Sequence, residues 1–131
     1  QGELRKVNFK SFVREVNHNE VLREIRESNY EEVEIIDREN AGNYECFDER
    51  KYVIEVISHK NENLAKGRYL LAMSSSKDAA DILMTFLIKD IFNIKPIAIK
   101  LVTNDHFGDT LKEVCQSYKY NLVVDKVKKN T

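Results

Sequence analysis

Five short runs rich in β-branched and aliphatic residues constrain this chain most: residues 31–37 (EEVEIID), 51–58 (KYVIEVIS), 68–73 (RYLLAM), 97–102 (IAIKLV) and 121–127 (NLVVDKV). Each has the length and composition of a strand, and each is bounded by polar or turn-forming residues. Two stretches between them carry helical spacing. From about residue 77 to 92 the pattern is apolar on most sides, as for a helix laid against a sheet. From 108 to 118 it is amphipathic, with Leu111, Val114, Cys115 and Tyr118 on one face. Strands alternating with helices predict an α/β fold, a three-layer α/β/α sandwich around a mainly parallel sheet of about five strands. The connection between 58 and 68 is short for a parallel crossover, so either one helical turn crosses there or the two strands form a hairpin.

Residues 9–28 have an interrupted helical stripe formed by Phe12, Val13, Val16, Val21, Leu22 and Ile25. Asn17-His18-Asn19 breaks it, with Asn17 or Asn19 as an N-cap. The expected organisation is therefore an N-terminal helical segment, 1–29, followed by a domain at 30–131. A length of 131 residues suits one core. Lys and Arg total 21 against 22 Asp and Glu, which excludes a protein that coats nucleic acid by bulk charge. Cys46 and Cys115 match no metal or disulfide spacing and are expected to be free thiols of an intracellular protein, cytoplasmic or nuclear. No apolar run approaches the roughly 18 residues of a membrane span, and no signal peptide opens the chain. The first residue is Gln, which suggests an excised fragment.

The chemistry lies in acids at strand ends and at a helix start. Asp37 ends the first strand, Asp105 follows the fourth, and Asp78 and Asp81, three apart, share a face in the first turn of the long helix. Taken singly, each has a structural explanation. An Asp at a strand end forms turns, and Ser75-x-x-Asp78 resembles a capping box. Asp81 sits among Ala79, Ala80, Ile82 and Leu83, where burial without a partner is costly. In open α/β sheets ligands gather beyond the carboxyl ends of the strands. Several carboxylates gathered there repel one another unless a cation intervenes. Oxygen donors suit Mg²⁺ or Mn²⁺, which can activate water and stabilise in-line displacement at phosphorus. Arg38, Ser76, Lys77, Thr103 and Asn104 lie on the same edges and are the candidate substrate contacts. The serines could instead end a strand and cap a helix. His106 could touch substrate or stack on Phe107; His18 and His59 read as isolated and solvated.

These residues carry a family resemblance. IIDRENAGN resembles the opening strand of NYN domains, a branch of the PIN-like nucleases. SKDAADILM resembles the start of their central helix, and LVTNDHFGDTL resembles their next strand end. The resemblance covers residues 31 to about 127. It implies a metal-dependent endoribonuclease in which Asp37, Asp81 and Asp105 bind metal, Asp78 assists, and Asn40 orients Asp37 or touches substrate. The chain departs from the pattern at Arg38, where relatives often have glycine, and at His106 or Phe107, where many carry a second acid.

The expected activity is therefore hydrolysis of RNA phosphodiesters, preferably single-stranded, with Mg²⁺ or Mn²⁺. The N-terminal helix is a candidate contact for a further domain or protein. One alternative is the same fold as an inactive RNA-binding or protein-interaction module. The other is a receiver-like or phosphatase domain, which the absence of an Asp-x-Asp pair at a strand end disfavours.

Overall fold

In the computed structural model, residues 13–74, 76 and 78–128 are described. The strands are β1 (Arg14–Val16), β2 (Glu32–Asp37), β3 (Lys51–Ser58), β4 (Arg68–Ala72), β5 (Ala98–Val102) and β6 (Leu122–Asp125). The helices are α1 (His18–Glu27), α2 (Ala79–Ile94) and α3 (His106–Ser117). One all-parallel sheet runs in the order β1-β4-β3-β2-β5-β6. The α/β class holds, with six strands among the described residues instead of about five.

The sixth strand comes from the segment expected to be helical. Arg14–Val16 pairs with Arg68–Leu70 of β4, and the helix begins only after Asn17. There Asn17 Oδ1 accepts from the Glu20 N–H at 2.8 Å, while Glu20 answers with a weaker contact to the Asn17 N–H. This reciprocal cap sets the boundary. The part of the expected helix before residue 13 lies outside the described residues. No packing boundary falls at residue 30. Val16, Val21 and Ile25 join the same core as the rest of the sheet, and Lys95 Nζ donates to the carbonyls of Ile25 and Ser28 at the end of α1. His18 is not isolated: its Nε2 lies 2.7 Å from Asp90 Oδ2 on α2.

Connection handedness explains the layers. The crossings β1-α1-β2, β4-α2-β5 and β5-α3-β6 all move the same way across the sheet, so right-handed crossovers place their helices on one face. That face holds the main core, where Ile35, Ile54 and Leu101 of the strands meet Leu87 and Ile91 of α2 and Leu111 of α3. Each such fully buried side chain contributes roughly 1.5–3 kcal/mol. The steps β2-β3 and β3-β4 run the other way and cross the opposite face without an α-helix. Residues 38–50 make the first crossing, and a kinked 3-10 segment, His59–Leu64, makes the second. The short connection is thus a parallel crossover. The second covering layer consists of these connections, over a small cluster of Ile36, Ala41 and Val102. No helix among the described residues is long and apolar enough to cross a membrane.

Candidate functional site

From β2 the chain steps outward to β3 and β4, then returns on the other side of β2 to form β5. That reversal opens a crevice beyond the carboxyl ends of β2 and β5, where α/β sheets bind ligands. Asp37 is the last residue of β2 and is 1% exposed. Its Oδ2 accepts from Asn40 Nδ2 at 3.0 Å and from Thr103 Oγ1 at 2.8 Å. Oδ1 makes no hydrogen bond among the described residues.

A turn further, Asp105 caps α3, accepting from the Phe107 N–H at 3.4 Å, while its own N–H donates to Thr103 Oγ1. The helix sits this close because residue 108 is glycine. A Cβ there would stand 2.6 Å from Thr103 Cγ2 and 3.1 Å from Val124 Cγ1. Asn40 adds a second tie, since its carbonyl accepts from the Asn104 N–H at 2.7 Å. One small network therefore fixes the ends of β2 and β5 to each other.

Above this floor lies a cleft of about 470 Å³, lined by Glu39, Asn40, Asp78, Asp81 and Asp105 together with Ser58, Lys60, Asn61 and Phe107. Lys60 is the one cation among the described lining residues. Burial pushes the Asp81 carboxyl up, to about 6, and Asp37, Asp105, Asp78 and Glu39 push it the same way. Burial also raises Asp37 above the ordinary Asp range, with Glu39 and Asp105 adding to the effect against the hydrogen bonds from Asn40 and Thr103. Carboxylates that raise a neighbour's pKa lie near it. Asp78, exposed, lines the cleft with Asp81 and Asp105, and the buried Asp37 lies close enough to push Asp81 up.

Other candidates fall elsewhere. Arg38 is 3% exposed and fully engaged: Nε donates to Glu55 at 2.7 Å, and Nη1 and Nη2 donate to the carbonyls of Gly42 and Tyr44. It is a buried strut on the opposite face and not a substrate contact. Thr103, also buried, positions Asp37. Asn104 accepts from the Val127 N–H at 2.7 Å and holds the C-terminal stretch. His106 projects into solvent beside Asp109. Ser76 is exposed, and its hydroxyl accepts from the Asp78 N–H. Ser75 and Lys77, hence the capping box and one candidate contact, lie outside the described residues.

Sequence reasoning missed Glu39, Ser58 and Asn61. The Glu39 carboxylate accepts from the Ser58 hydroxyl at 2.6 Å, from the Ser58 N–H at 3.3 Å and from Asn61 Nδ2. Asp37 pairs with Val56, so residues two further along each chain, Glu39 and Ser58, also meet. That signal exists only once the register is known.

The donor set tests the expected cation. Every acid in the cleft offers hard oxygen donors. Among the described residues, however, no group of three or more His, Cys, Asp or Glu is placed to hold a metal ion. Compared with family models, curated proteins and solved structures, the chain finds no match in any of the three.

Proposed function

We propose that this domain is a metal-dependent endoribonuclease of PIN-like, NYN type, in which Asp37, Asp81 and Asp105 hold Mg²⁺ or Mn²⁺ at the carboxyl edge of the sheet. The observation that carries this reading is the placing of these acids at the end of β2, in the first turn of α2 and at the N-cap of α3, around the topological reversal of a parallel sheet. Asp37 and Asp105 both push the Asp81 carboxyl up, with no neutralising ion pair to these acids among the described residues. The cation supplies Lewis acidity and an acidified water. Asn40 and Thr103 hold the Asp37 carboxylate in place, Asp105 stands at the head of α3, and Lys60 at the rim can take a phosphate oxygen. The substrate would be RNA, single-stranded by preference.

The test is Mn²⁺-dependent cleavage of mixed RNA and DNA oligonucleotides. Asp37→Asn and Asp105→Asn should abolish cutting while leaving thermal stability equal or higher. Variants that cut as fast as wild type would remove the assignment. The lack of a finished three-donor cage favours a second reading, an inactive RNA-binding or protein-interaction module. That module would show no Mn²⁺-dependent rise in melting temperature.

A further inference from the structure

We propose that Glu39 is a positioning residue: by clamping the connection between β3 and β4 it sets Lys60 at the rim of the acid cleft, where the lysine takes a backbone phosphate of the RNA. This rests on the nuclease reading of the cleft. Glu39 lines that cleft with Asp78, Asp81 and Asp105, yet its carboxylate is used differently. Oε1 accepts from the Ser58 N–H at 3.3 Å, and Oε2 accepts from the Ser58 hydroxyl at 2.6 Å and from Asn61 Nδ2. Both oxygens are therefore spent on the chain itself. The Asp81 carboxylate, by contrast, accepts no hydrogen bond among the described residues. The two acids stand in one cleft, but only Glu39 is built into the bonding of the fold.

What the clamp holds is the crossing His59–Leu64, whose backbone leaves the helical region at Asn61 (φ −114°, ψ 19°). Its far half is tied independently. The Tyr69 hydroxyl donates to Glu62 at 2.6 Å, and the Lys66 N–H donates to Glu55 at 3.0 Å. The near half carries Lys60 and is tied to Glu39 on either side of it, through Ser58 and Asn61. A lysine side chain is long and flexible, so the reach of its ammonium is set by where its backbone is held.

Charge gives the lysine its role. Lys60 is exposed, lines the cleft and makes no ion pair among the described residues. It stands beside carboxylates that repel a polyanion, in a chain whose net charge is -1. Bulk charge therefore supplies little affinity for RNA, and a single placed ammonium counts. Its three donors on one point charge suit a phosphate oxygen.

The test is steady-state cleavage of a single-stranded RNA with Mn²⁺ over a series of salt concentrations. The proteins are wild type, Lys60→Ala, Glu39→Gln, Ser58→Ala and the double variant Glu39→Gln with Lys60→Ala, each shown by its melting curve to be folded in the assay. Lys60→Ala should raise KM about 2- to 5-fold, as for an exposed ionic contact, with kcat close to wild type. The slope of log KM against log salt should fall by about 0.7, the share of one single-strand phosphate. Glu39→Gln turns an amide NH2 toward the Ser58 and Asn61 donors and breaks the clamp. It should raise KM like Lys60→Ala and add little to it in the double variant. Charge alone predicts the reverse, because removing an acid from the cleft lowers its repulsion for RNA. Ser58→Ala breaks the clamp at unchanged charge and should also raise KM; it carries the test if Glu39→Gln does not fold.

A KM at or below wild type in the clamp variants, or additive losses in the double variant, would overturn the positioning role. So would a Glu39→Gln protein that loses kcat, which would place Glu39 with the metal-binding acids. A wild-type KM for Lys60→Ala with cleavage intact would overturn the phosphate contact and leave the nuclease reading standing. A wild-type protein that neither cuts nor binds RNA with Mn²⁺ would overturn both.

Discussion

The two faces of this sheet handle buried acid in opposite ways. On the face crossed by loops, every buried carboxylate has a cation or a donor from the chain itself. Glu34, fully buried in the middle of β2, takes the Tyr44 hydroxyl at 2.5 Å and Lys51 Nζ at 3.2 Å, with Lys100 at 4.0 Å. Glu55 takes Arg38 at 2.7 Å and the Lys66 N–H at 3.0 Å. At the carboxyl edge, Asp37, Asp81, Asp105, Asp78 and Glu39 have one another. Their hydrogen bonds come from neutral groups, and their effect on Asp81 is to raise it. Charge that a chain neutralises internally serves as architecture, whereas carboxylates left unneutralised in a cleft repel one another.

The contrast predicts opposite signs on mutation. Arg38→Met strips the cation from a buried pair and leaves Glu55 uncompensated, which should cost about 3–5 kcal/mol in denaturant unfolding. A loss below about 1 kcal/mol would mean the pair is not the strut described. Next in size is Gly108→Ala. The new methyl meets a stiff, buried threonine and should cost about 1–3 kcal/mol, with cleavage falling as Thr103 is displaced from Asp37. An unchanged melting temperature and rate would refute the close approach.

The smallest effect has the reverse sign. The folded protein holds the Asp81 proton more tightly than the unfolded chain does, so its penalty grows as pH rises from the ordinary 3.8 through about 6 and is complete above that. Asp81→Asn should therefore stabilise by about 1 kcal/mol at pH 8, after allowance for solvent screening, with the gain vanishing near pH 4. The same gain at both pH values would show that charge is not its cause. Mn²⁺ sharpens the comparison: it should raise the wild-type melting temperature and raise that of Asp81→Asn less. An equal rise in both would place the ion elsewhere.

Much of this fold was legible in the sequence, because strands 51–58 and 97–102 and a helix from about 77 to 92, found at Ala79–Ile94, advertise themselves through β-branched runs and apolar periodicity. The failures are local and have physical causes. Arg14–Val16 shares helical spacing with its neighbours, and only an edge position beside β4 makes it a strand. Arg38 follows Asp37 directly, yet chain direction after β2 turns its side chain to the opposite face, where Glu55 waits. Thr103 and Asn104 sit at the expected strand end but spend their polar atoms on the fold. Glu39 looked like one surface glutamate among many until the register of β2 on β3 brought Ser58 to it.

Local pattern, which depends on neighbours three or four residues away, determined the element types, the parallel class and the three acids worth watching. Pairing order and crossover handedness decided the rest: which strand ends adjoin, which face each helix covers, and which charged side chains find partners. Those outcomes depend on contacts between residues as far apart as Asp37 and Thr103. No local periodicity encodes such a distance, because the energy that selects it arises only when the whole sheet is assembled.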